Sequence, residues 1–146
     1  MTAADILAFE KTNGRLPEGA FVFIATGWDA RWPTRRYMNM RDGVRHFPGL
    51  SEEAALLLAR DRRVAAIGID APSIDHGPST KYEAHHATQP LNVYHVENAR
   101  GLTALPASGF EVIVAPVNIK GGSGAPARVF ARLARQPGLE RGRIGP

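Results

Sequence analysis

The stretch "SEEAALLLARDRRVAAIGID" (51–70) leaves this chain the fewest choices. Ser51 is a natural N-cap, Glu52 and Glu53 stand in the first turn, and Arg60, Arg62 and Arg63 close the segment, the charge order that a helix dipole favours. The apolar run "VAAIGID" (64–70) follows without a linker and reads as a buried strand. A helix that delivers a strand directly points to a βαβ-like crossover with an earlier parallel strand. "FVFIAT" (21–26), aromatic and β-branched between Gly19 and Gly27, is the available partner. An α/β fold with a mixed sheet and flanking helices is therefore expected.

The remaining elements fit around that unit. Thr2 and Asp5 stand at capping-box spacing ahead of Ile6, Leu7 and Phe9, so a first helix runs to Asn13 and Gly14. "GWDARWPTRRYMNMRDGVRHFPG" (27–49) is an irregular connection of a length usually found in functional lids or in segments ordered by partners. "APSIDHGPSTKYEAHHATQP" (71–90) reads as a polar loop at the carboxyl end of a strand, where ligands bind in α/β sheets. "LNVYHVE" (91–97) is a third strand and "LTALPASG" (102–109) a short helical turn. "FEVIVAPV" (110–117) is a fourth strand; "ARVFARLA" (127–134) is a fifth, with helix as the competing reading. Between them "IKGGSGAP" (119–126) is glycine-rich but lacks Walker spacing, which favours a structural turn over a phosphate loop. With 146 residues, 44% of them hydrophobic, one domain spanning 1–146 is the default expectation.

Composition narrows the chemistry. No cysteine is present, so disulfides, thiolate metal sites and cysteine nucleophiles are excluded, and a bound divalent metal would need nitrogen and oxygen ligands. No window approaches the roughly 18 apolar residues of a membrane span, and the N-terminal residues lack the pattern of a signal peptide. A soluble, cytoplasmic protein is expected. The net charge of +4 sits in the tail: residues 1–119 carry 12 basic and 13 acidic residues, and residues 120–146 carry 6 and 1. Arg31, Arg35, Arg36 and Arg41 interleave with Trp32 and Tyr37 as in single-strand binders, but a solvated loop with inward aromatics is the favoured reading. A nucleic-acid partner is thus not expected.

The chemistry on offer gathers in "HHATQPLNVYHVE" (85–97), which holds three of the five histidines. A catalytic metal needs about three protein ligands and an open position for water. On a strand, His95 and Glu97 point to the same side, which makes them the first candidate pair. His85 and His86 could swing in from the preceding loop, and Asp70, Asp75 and His76 lie at the exit of the neighbouring strand. A lone strand histidine is more often packed or hydrogen-bonded than ligating. No GxSxG elbow is present, so a serine triad is not supported.

In order along the chain, "FPGLS", "GID", "SID-G-S", the loop histidine, "EN", "LP-GF" and "P-I-GGSGAP-R" resemble the metal-dependent cyclase family, which includes bacterial kynurenine formamidases and isatin hydrolases. "TGWDARW" upstream is similar to the same family. The resemblance implies a β/β/α-like fold, assembly as homo-oligomers, and hydrolysis of a small cyclic or aryl amide by metal-bound hydroxide with zinc or manganese. It also implies that the downstream ligands are a loop histidine and a glutamate twelve residues later, which selects His85 and Glu97 and leaves His95 as a supporting or packing residue. The family's upstream HxGTHxDxPxH segment, which carries the other ligands and a proton-transfer histidine, has no counterpart in these 146 residues. The sequence therefore looks like the C-terminal portion of such a protein, with its catalytic residues beyond the two ligands unknown. A catalytically silent, oligomerising relative is the alternative.

Overall fold

The computed structural model describes residues 1–133, which divide into a compact unit over 1–105 and a second beginning at Pro106. In the first, helix α1 (Ala3–Asn13) opens on the expected capping box: Asp5 accepts from the Thr2 N–H at 2.7 Å and returns its own N–H to the Thr2 hydroxyl. Strand β1 (Phe21–Ile24) leads into the long irregular segment, which contains one 3-10 turn at Trp28–Arg31. Helix α2 (Glu52–Leu56) is capped by Ser51 and winds on as a π-helical turn over Leu57–Asp61. Strand β2 (Ala66–Ile69) follows at once.

The crossover expected from the sequence is present. β1 and β2 pair in parallel, Phe21 opposite Ala66 and Ile24 opposite Ile69, and strand β3 (Tyr94–Val96) adds in parallel on the other side of β2. Register then sorts the side chains by face, because neighbours across a parallel pair share a side. Ile24, Ile67 and Ile69 are fully buried with Ile6, Ala54, Ala55, Leu58 and Ile74 in one core. On the opposite face Phe21 stacks on Phe23 at 4.5 Å between ring centres and meets the Tyr94 ring edge-on at 5.8 Å. Gly68 lies under these rings: a Cβ there would stand 2.3 Å from the Phe23 ring.

The loop expected over 71–90 is corrected in part. It contains helix α3 (Glu83–Thr88) and a 3-10 turn at Gln89–Leu91, which shortens the third strand to three residues. The helix begins where the Asp75 carboxylate accepts the Ala84 N–H at 2.6 Å, a cap supplied from nine residues upstream. Local pattern cannot reveal such a cap. The second unit is a two-stranded antiparallel sheet of β4 (Phe110–Pro116) and β5 (Ala127–Leu133), with Ile113 opposite Phe130. Strand is thus the outcome for β5, while residue 134 and the basic tail beyond it lie outside the described residues.

Candidate metal centre

Two backbone contacts place the residues that matter. The segment 73–77 runs beside 45–50: the Leu50 N–H bonds the Ile74 carbonyl at 2.7 Å, and the Gly77 N–H bonds the Phe47 carbonyl at 2.9 Å. Glycines make this approach possible, since a Cβ on Gly49 would fall 2.2 Å from the His76 nitrogen and one on Gly77 would fall 2.6 Å from the Arg45 carbonyl oxygen. Asp75 is thereby held, 2% exposed, under the first turn of α3.

His85 projects from α3 between two carboxylates. Its Nδ1 lies 2.5 Å from Asp75 Oδ2, and its Nε2 lies 3.5 Å from Glu97 Oε1. Glu97, just past the end of β3, is itself oriented by the Ile74 N–H, which bonds Oε1 at 3.0 Å. The His85–Glu97 separation is too long for a good hydrogen bond. It matches the edge of a coordination tetrahedron: two donors each about 2.1 Å from one ion stand about 3.4 Å apart. The pair therefore fits two positions of a zinc-like site in donor type and in spacing.

His95 takes a different part. Thr88 donates its hydroxyl to the Ala84 carbonyl at 2.8 Å, which leaves the Thr88 oxygen to accept from His95 Nε2 at 2.8 Å. The His95 ring packs edge-to-face with His85 at 4.7 Å. Burial, aided by the neighbouring His85, pushes the His95 pKa down to about 4, so the ring is neutral at physiological pH. The other candidates disperse. His86 and His76 are exposed, and Asp70 is buried at the end of β2, where it binds Thr26 and Gly27. Sequence reasoning named Asp75 only among the residues at a strand exit; its place five residues after "GID" carries no local signal for the contact with His85 ten residues on.

The irregular segment reaches this region through Tyr37. Its hydroxyl donates to Asn98 Oδ1 at 3.0 Å, beside Glu97, and the Trp28 indole N–H bonds the Tyr37 carbonyl at 2.8 Å. Arg31 stacks over Trp28 at 3.9 Å, and Gly101 donates its N–H to Asp29. The aromatics of the arginine-rich run thus divide: Tyr37 is buried and Trp32 is 48% exposed.

Among the described residues no group of three or more histidine, cysteine, aspartate or glutamate side chains is arranged to hold a metal ion. His85 and Glu97 would supply only part of a ligand set.

A family model described as "Putative cyclase" matches residues 1–76. The chain belongs to the cyclase family. Isatin hydrolase from Roseibium aggregatum is 30% identical to this cyclase-family chain over 140 residues, 92% of the chain and 53% of the relative. Kynurenine formamidase from Salinibacter ruber is 39% identical over 77 residues, 53% of the chain and 36% of the relative. In structure the chain is similar to isatin hydrolase A from Labrenzia aggregata bound to benzyl benzoate, with a TM-score of 0.88 at 33% identity over 92% of this chain and 54% of that one. It is also similar to a protein described as a "potential metal-dependent hydrolase with cyclase activity", with a TM-score of 0.71 at 26% identity over 94% and 59%. The mixed α/β architecture is shared with both structures. The chain spans about half the length of the curated isatin hydrolase it matches.

Proposed function

We propose that this cyclase-family chain forms part of a metal-dependent amide hydrolase in which His85 Nε2 and Glu97 Oε1 are two ligands of a divalent ion, zinc or manganese. The observation that carries the reading is their convergence from α3 and the end of β3 to 3.5 Å, a donor pair of the right type and spacing. A divalent ion at such a centre lowers the pKa of water toward neutrality and polarises a carbonyl. His85 supplies a neutral nitrogen donor and Glu97 a charged oxygen donor, and Glu97 is held in place by the Ile74 N–H. The names of the relatives, isatin hydrolase and kynurenine formamidase, favour a small cyclic or aryl amide as substrate. The remaining donors belong to residues other than those described. Assembly with further copies is part of the proposal, supported by Ile113 and Phe130, paired across the second unit's sheet and each about half exposed; light scattering measures it.

The test is metal content of the purified chain by mass spectrometry, alongside hydrolysis of isatin and of an aryl formamide. Near-stoichiometric zinc or manganese that is lost in both His85→Ala and Glu97→Ala supports the reading. Metal content unchanged by both substitutions overturns it.

A second reading rests on the partial donor set: a non-catalytic relative kept for assembly. It predicts a stable oligomer with neither bound metal nor amide hydrolysis.

A further inference from the structure

The geometry points to Asp75 as a positioning residue that holds His85 in the Nδ1–H tautomer, so that the Nε2 lone pair faces Glu97. This deepens the metal-centre reading, and only its functional consequence rests on that reading. Asp75 lies 2% exposed, and each of its carboxylate oxygens has a separate partner. Oδ1 accepts the Ala84 N–H at 2.6 Å, and Oδ2 faces His85 Nδ1 at 2.5 Å. A backbone N–H can only donate, so the Oδ1 side requires an acceptor. With a carboxylate the Oδ2 side is an acceptor too, and the imidazole then carries its proton on Nδ1. Nε2 is left bare on the side where Glu97 Oε1 stands 3.5 Å away. The His95 ring against His85 limits rotation about the side-chain bonds, so the tautomer and the direction are set together.

The same two-sided demand makes Asp75→Asn informative rather than merely disruptive. An asparagine that keeps its carbonyl oxygen toward Ala84 must turn its NH2 group toward His85. His85 Nδ1 then accepts, its proton moves to Nε2, and the nitrogen that faces Glu97 becomes a donor that cannot bind a metal. The side-chain volume is nearly unchanged, so the fold has no steric reason to fail. An outer carboxylate that fixes a ligating histidine typically contributes 10- to 100-fold in metal affinity.

The test is long-range proton–nitrogen NMR on the full, metal-free chain with 15N-labelled histidine, recorded at rising pH until the His85 ring signals stop changing. His85 is assigned by the signal that His85→Ala removes. Expected for the native chain is a protonated Nδ1 and an unprotonated Nε2, and for Asp75→Asn the reverse. Zn2+ titrated into both should bind about 10- to 100-fold more weakly to Asp75→Asn. A native His85 with its proton on Nε2, or an equal mixture, overturns the inference even if Asp75→Asn does not fold. The correct tautomer together with no Zn2+ binding that His85→Ala can remove leaves Asp75 as a positioning residue and overturns the metal-centre reading instead.

Discussion

The fully buried Asp70 carboxylate accepts both the hydroxyl of Thr26, at 2.5 Å, and its N–H, at 2.9 Å, with the Gly27 N–H adding a further bond at 2.7 Å. This single side chain ties the carboxyl end of β2 to the residues where β1 gives way to the irregular segment. It thereby sets the direction in which residues 27–49 leave the sheet. Tyr37, midway along that segment, brings its hydroxyl within 3.3 Å of the Asp70 carbonyl, so the start and the middle of the segment are both held at one residue.

Asp70→Asn is expected to lower stability by about 2–3 kcal/mol, because an amide must turn its NH2 toward at least one donor and leave buried partners unmet. Thr26→Val removes only the hydroxyl contact and should cost about 1 kcal/mol. Urea denaturation followed by circular dichroism measures both as a lower midpoint at constant slope. An unchanged midpoint for Asp70→Asn would contradict this role of Asp70.

Gly49→Ala is expected to be more damaging than an exposed Gly→Ala change elsewhere in the chain. Its Cβ would lie 2.2 Å from the His76 nitrogen and 2.3 Å from the Asp75 carbonyl carbon, and that rigid peptide unit cannot yield as a flexible side chain would. About 1–3 kcal/mol is the usual penalty for such overpacking, and the displaced group is Asp75, the neighbour of His85. Thermal unfolding and the His85 ring signals should therefore change together. Gly124→Ala serves as the contrast, since nothing lies within 4 Å of its Cβ and its backbone is not in the left-handed region.

These two sites mark the border of what the sequence discloses. The capping box at Thr2, the N-cap at Ser51 and the parallel pairing of β1 with β2 were legible because each is a local or periodic signal. Helix α3 was not, because the Ala84 N–H in its first turn is satisfied by Asp75 rather than by a neighbouring Ser, Thr, Asp or Asn. For the same reason the alternation argument found only part of the cluster. It put His95 and Glu97 on one side of a strand, but the strand ends at Val96, and what gathers the group is His85 reaching across from a helix. The family resemblance selected His85 through a spacing of twelve that no strand periodicity contains. The contact of Asp75 with His85 was not legible, since the approach of 73–77 to 45–50 is tertiary.

The pair Glu10–Arg62 predicts an acid limit to stability. Arg62 Nε lies 2.6 Å from Glu10 Oε1 with both side chains 9% exposed, and the guanidinium, with the Leu16 N–H, holds the Glu10 carboxyl down to about 2 from an ordinary 4.5. A carboxyl depressed in the folded state adds stability that is complete above pH 4.5 and fades as pH falls toward 2. The native chain minus Glu10→Gln should show about 1–2 kcal/mol at neutral pH, shrinking across that window, after allowance for nearby solvent. A difference that is flat from pH 6 to 2.5 would sink the assignment.

Tyr37 gives the mirror case in alkali. Burial first, then the nearby Asp70, Asp29 and Glu97 carboxylates, raise its phenol from 10.0 to about 12. For an acid whose folded pKa is raised, the contribution to stability is complete below pH 10 and is lost as pH rises toward 12. Ultraviolet difference titration of the native chain against Tyr37→Phe isolates this phenol, whose ionisation should appear only near pH 12 or with unfolding. The substitution also removes the hydroxyl's bond to Asn98 and should cost about 1 kcal/mol at neutral pH. Because that bond goes to Asn98 while Glu97 is held by the Ile74 N–H, any Zn2+ affinity lost in Glu97→Ala should be only slightly changed in Tyr37→Phe. Titration of the phenol near pH 10 in the folded chain would mean that Tyr37 is solvated and that residues 27–49 are not anchored next to Glu97.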